Sequence, residues 1–175
     1  MADVYAVFGT LIALGVAYPG LLSAWRMMLP AFVERAQIRI SSNAWGSFGL
    51  GAGLGLPVIF GSAFLVSVPA PFLRFLGVTI AVCALSLASL GAAGLAGLMG
   101  SRLNDLSDNR YTMPGAQVRG AVALELAAIF PLVGWLLVFP LGTLTCFGAG
   151  VLALFLRPNF QDKTTQIHAP QTGEA

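Results

Sequence analysis

Glu125 is the one acidic residue inside a long apolar stretch of this chain, flanked by Leu124 and Leu126. A carboxyl group in such surroundings can take up a proton or hold a cation, and ionisable groups placed there are rare, costly and often functional. The alternative is structural: the carboxyl ties its helix to a neighbour through Thr143, Thr145 or Ser86. Few other residues offer chemistry. His168 stands among polar residues near the carboxyl terminus, where a solvated imidazole is expected rather than a metal ligand. The apolar runs contain no histidine, which removes the commonest protein ligand for haem. Cys83 and Cys146 sit in apolar runs with no CxxC pairing, as buried inert thiols do. No Ser/His/Asp set, phosphate loop, HExxH or paired carboxylates occur. The expectation is a protein that is not an enzyme, with no cofactor and no metal.

The surroundings of Glu125 are those of a membrane protein. Of 175 residues, 57% are hydrophobic and 9% charged, against roughly 25% charged in a soluble domain. The basic residues are scattered arginines rather than a cluster interleaved with aromatics, so no nucleic-acid surface is expected. Val4 to Trp25 carries no charge and reads as a first span, retained because no basic residue precedes it as a signal peptide requires. After Pro30, a helix from Ala31 to Ser42 places Phe32, Val33, Ala36 and Ile40 opposite Glu34, Gln37 and Arg39, a pattern that predicts an interfacial helix. Arg35 and Arg39 on it are candidates for anionic lipid headgroups, or charges that only set topology. Ala44 to Val68 and Phe75 to Gly100 read as spans two and three. Gly49 and Gly53 in the former, and Gly91, Gly94 and Gly97 in the latter, are the candidate helix-packing positions. Pro57 is expected to kink span two. Ser101 to Gln117 is polar and reads as a loop.

Val118 to Leu156 is too long for one span, since a single helix would run about 58 Å across a core of about 30 Å. Pro131-Leu132-Val133-Gly134 interrupts it, so a hairpin of two legs is expected, Pro114 to Phe130 and Trp135 to Leu156. Charge agrees. With the hairpin, Arg26, Arg35, Arg39, Arg102, Arg110, Arg119, Arg157 and Lys163 share one side and only Arg74 is opposite, the bias typical of a cytoplasmic face. The reading is an all-α polytopic membrane helix bundle: about three full spans, a C-terminal helical hairpin with a Pro-x-x-Gly turn, and one interfacial helix. Residues 1–157 form a single transmembrane domain and 158–175 a disordered cytoplasmic tail.

The order Leu29-Pro30-x-Phe32-Val33-Glu34-Arg35-Ala36, a Gly-rich span, Gly100-x-Arg102-Leu103, Arg119-Gly120, Phe130-Pro131-Leu132-Val133-Gly134-Trp135-Leu136-Leu137 and Phe147-Gly148-Ala149-Gly150 resembles the polytopic membrane module that accompanies bactofilin-like, polymer-forming cytoskeletal proteins of bacteria. The resemblance covers roughly Val4 to Arg157. It implies an anchor or scaffold in the bacterial inner membrane with no catalytic residue; this chain has no β-rich polymerising domain, so a bactofilin-like partner would act in trans. The expected function is a non-catalytic membrane scaffold or accessory subunit whose partners are the lipid bilayer and a membrane protein or larger complex. The rival is a small transporter or channel component using Glu125, and a third reading is lipid binding through the Ala31 to Ser42 helix.

Overall fold

A computed structural model describes residues 2–108, 110–130, 132 and 134–155, with backbone alone at 2–4, 7, 8, 11, 12 and 14. The C-terminal tail with His168, and Pro131 and Val133 of the expected turn, lie outside the described residues. Six α-helices follow one another: α1 (Ala2–Met28), α2 (Pro30–Ser42), α3 (Ala44–Ser67), α4 (Pro71–Asp105), α5 (Met113–Ile129) and α6 (Phe139–Phe155), with a π-helical turn (Gly134–Val138) leading into α6. No strand occurs among the described residues. Among the described residues three segments, Ala44–Ser67, Pro71–Asp105 and Gly134–Phe155, are long and apolar enough to cross a membrane.

Local chemistry explains where these helices begin and break. Pro30 and Pro71 open α2 and α4 in the first turn, where their missing N–H is no loss. Asn43 caps α3 by accepting from the Gly46 N–H at 2.8 Å. Pro140 has no N–H to give the Leu136 carbonyl, and the backbone just before it adopts the wider π turn. Pro19 and Pro57 lie inside α1 and α3 without ending either helix. The stretch Ser101 to Gln117, expected to be a loop, is largely helical: α4 continues to Asp105 and α5 starts at Met113. Polar side chains collect there because both helices run on past their apolar stretches, which composition alone cannot separate from a loop.

Contacts between helices give their directions. Gly100 lies on Ala116 and Gly120 on Ala96, so α4 and α5 are antiparallel. Arg26 meets Gln117 while Gly15 faces Glu125, so α1 and α5 are antiparallel. Gly148 lies on Ser47 and Gly55 on Leu144 and Phe147, so α3 and α6 are antiparallel. The basic residues Arg26, Arg35, Arg39, Arg102, Arg110 and Arg119 consequently gather toward one end of the bundle, with Arg74 at the other. α5 and α6 both pack on α4, which stands between the two legs.

The apolar face of α2 is not left to lipid. Val33, Ala36 and Ile40 are buried, and Ala36 and Ile40 pack with Ala149 and Ala153 of α6 beside Leu95 and Leu98 of α4. The expected interfacial helix is thus a wedge between α4 and α6, because its narrow Val/Ala/Ile stripe fits a groove floored by Gly94. A Cβ on Gly94 would lie 2.9 Å from the Ala36 Cβ.

Candidate functional site

The densest polar contact inside the bundle joins four helices. Arg26, in the last turn of α1, donates from Nη1 to Gln117 Oε1 of α5 at 2.8 Å and reaches Gln37 Oε1 of α2 at 3.5 Å. Gln117 is only 3% exposed, and its Nε2 donates to the Ala93 carbonyl of α4 at 3.0 Å. That second bond fixes the amide: with nitrogen turned to Ala93, oxygen must face the guanidinium. Room for the cluster comes from Gly97, where a Cβ would stand 2.6 Å from Gln37 Oε1, 2.7 Å from Arg26 Nη1 and 3.0 Å from Gln117 Oε1. Both acceptors are neutral amides, so the positive charge of Arg26 is oriented without being cancelled. On the outer side, Ser23, Arg26 and Met27 of α1 and Met113, Pro114, Gln117 and Val118 of α5 enclose a cleft of about 140 Å³.

Glu125 lies further along the same α1/α5 seam. It is half-buried, and a Cβ on Gly15 would come within 3.2 Å of its Oε1. The expected hydrogen bonds to Thr143, Thr145 and Ser86 are not made. Each hydroxyl donates instead to its own helix, Thr143 to Phe139, Thr145 to Leu141 and Ser86 to Val82, at 2.6, 2.7 and 2.8 Å. A hydroxyl inside a helix satisfies itself most easily on the carbonyl one turn back. Among the described residues Glu125 has no hydrogen-bond or ion-pair partner. Tyr18 of α1 lies in its neighbourhood.

No family model, curated protein or solved structure matches the chain. The site therefore rests on geometry alone, and nothing in these comparisons bears on the bactofilin-associated module.

The remaining candidates separate clearly. Gly91 lies against the Cys146 backbone, Gly94 against α2 and Gly97 against the Arg26 cluster. Gly49 and Gly53 pack on no other helix among the described residues: nothing there lies within 4 Å of a Cβ at either. The glycines of α3 that meet another helix are Gly51, on Leu144 and Gly148, and Gly55. Arg39 is half-buried, as is Arg35, whose Nε is sealed without a partner. Arg119 stacks on Tyr111, 3.2 Å from the ring centre. Cys83 is exposed, against the expectation of burial, because it lies on an outer face of α4; Cys146 is buried. No group of three or more metal-ligating side chains occurs among the described residues.

Sequence reasoning missed Arg26 and Gln117, the first taken as a topology charge and the second as the end of a loop. A signal was present. Ala116, Gln117, Gly120, Ala121 and Leu124 are all buried and share one helical face, which makes Gln117 a polar residue in a core register.

Proposed function

We propose that this chain is a non-catalytic membrane scaffold or accessory subunit, multi-pass in a bacterial inner membrane with its basic end in the cytoplasm, that receives a helix from another membrane protein against α3. The observation that carries this reading is the split of α3 into two small-residue faces. Ser47, Gly51, Gly55 and Ser62 are buried inside the bundle. Gly49 and Gly53, about 200° away at 100° per residue, stay exposed and continue into Leu56, Phe60 and Phe64. Pro57 lacks the N–H that would bond the Gly53 carbonyl, leaving an acceptor where a crossing helix could approach closely. The cytoplasmic orientation rests on the gathering of arginines at one end, and a bactofilin-like polymer is one partner class that the sequence resemblance suggests.

Affinity purification in mild detergent tests the reading. Wild type should bring down a stoichiometric membrane partner. Gly53→Leu should fold with unchanged thermal stability yet lose that partner at least tenfold, while Leu54→Ala retains it. A wild-type chain that purifies alone, or a Gly53→Leu variant that keeps its partner, would contradict the proposal.

The transporter reading is favoured by one observation, that the Glu125 carboxyl has no partner among the described residues. On the scaffold account Glu125→Gln assembles normally and supports function, its stability within about 1 kcal/mol of wild type. A folded but inactive Glu125→Gln protein would put the transporter first.

A further inference from the structure

We infer that the α1/α5 cleft over Arg26 is a binding site for a phosphate-bearing anion, most simply the headgroup of an acidic phospholipid. Three features of the cleft converge on this ligand. The first is uncancelled charge. Arg26 is held by Gln37 and Gln117, both neutral, no carboxylate lines the cleft, and no ion pair forms among the described residues.

The second is donor availability. Among the described residues only Nη1 of Arg26 is engaged. Among the described residues the buried side-chain groups sealed without a partner are Trp25 Nε1 and Arg35 Nε, so the Nε and Nη2 of Arg26 are not sealed off in this way. Nε and Nη2 lie on one edge of the planar guanidinium, the fork that grips two oxygens of a phosphate. Gln117, anchored on Ala93, is the positioning residue that holds Nη1 of the guanidinium.

The third is the character of the walls. Met27, Met113, Pro114 and Val118 are apolar, and Met27, Met113 and Val118 are exposed. The first turn of α5 forms one side, adding the positive end of a helix. A charged fork at the end of an apolar groove suits an amphiphile: phosphate on Arg26, chain along the methionines. A soluble phosphate would use the fork and leave the groove empty.

The test uses the full chain purified in mild detergent, with native mass spectrometry and thermal unfolding as readouts. Phosphatidylglycerol should remain bound and raise the melting temperature, whereas diacylglycerol with the same chains, which lacks the whole phosphoglycerol headgroup, should do neither. Arg26→Gln should weaken binding roughly tenfold or more, the loss expected for a charge-assisted bond. Val118→Trp fills the cleft from an exposed position while leaving the arginine itself in the sequence, and should weaken binding similarly even if Arg26→Gln fails to fold. Inorganic phosphate producing the same Arg26-dependent shift would support the site and assign it to free phosphate. Retention of phosphatidylglycerol by Val118→Trp and by any folded Arg26→Gln protein at the wild-type level would overturn the inference, as would a wild-type protein indifferent to both phosphate compounds.

Discussion

Adding a single methyl group at Gly120 should dismantle the bundle. A Cβ there would overlap the Ala96 carbonyl and stand 2.5 Å from the Gly100 nitrogen, both backbone atoms that cannot rotate away. The helices α4 and α5 must then move apart, breaking the contacts of Gly100 with Ala116 and of Gln117 with Ala93 along the same seam. Overpacking a core typically costs about 1–3 kcal/mol; a clash of backbone with backbone belongs at or above the upper end. Gly120→Ala, Gly91→Ala and Gly148→Ala should each lower the melting temperature in detergent strongly or prevent recovery of folded protein. Gly49→Ala, with nothing within 4 Å, should be neutral or slightly stabilising, since alanine is the better helix former. Equal tolerance at Gly120 and Gly49 would mean that the close approaches are not as described.

The second large effect is expected at Gln117. Gln117→Leu keeps the approximate volume but removes the 2.8 Å acceptor from Arg26 and the donor to Ala93, leaving a half-buried guanidinium with only the 3.5 Å contact to Gln37. Stranding a partnered polar group costs about 1–3 kcal/mol, more when the group is charged. The double variant Arg26→Met with Gln117→Leu removes both partners together and should recover much of the loss. Thermal unfolding of the two single variants and the double one measures this coupling; strict additivity would show that the pair contributes nothing beyond its separate parts.

The sequence already separates what depends on length and charge from what depends on tertiary choice. Uncharged runs long enough to span a bilayer mark α3, α4 and the Gly134–Phe155 segment, and chain length with Pro131 and Gly134 predicts that α5 and α6 are separate legs. The glycines Gly91 and Gly94 of α4 are legible because a single small-residue strip admits a single packed face. α3 defeats the same reasoning. Its glycines form two strips, Gly49/Gly53 and Gly51/Gly55, on nearly opposite sides of one helix, and only neighbouring helices decide which side is buried. The Arg26–Gln117 contact joins residues 91 positions apart, and no local pattern announces such a pair. Glu125 stands out by composition, yet its expected partners are not met: α4 stands between α5 and α6, and the Thr143, Thr145 and Ser86 hydroxyls each donate to a carbonyl of their own helix.

Site-specific photo-cross-linking in native membranes tests the central claim, that α3 presents an outer face to a partner helix. Cross-linkers at positions 49, 53 and 60 lie on the proposed face, and those at 54 and 59 lie on exposed flanks of the same helix. The account predicts that 49, 53 and 60 yield an adduct to one and the same protein, abolished by Gly53→Leu for the linkers at 49 and 60, while 54 and 59 react with lipid alone. Lipid adducts at all five positions, or protein adducts without this helical periodicity, would contradict it.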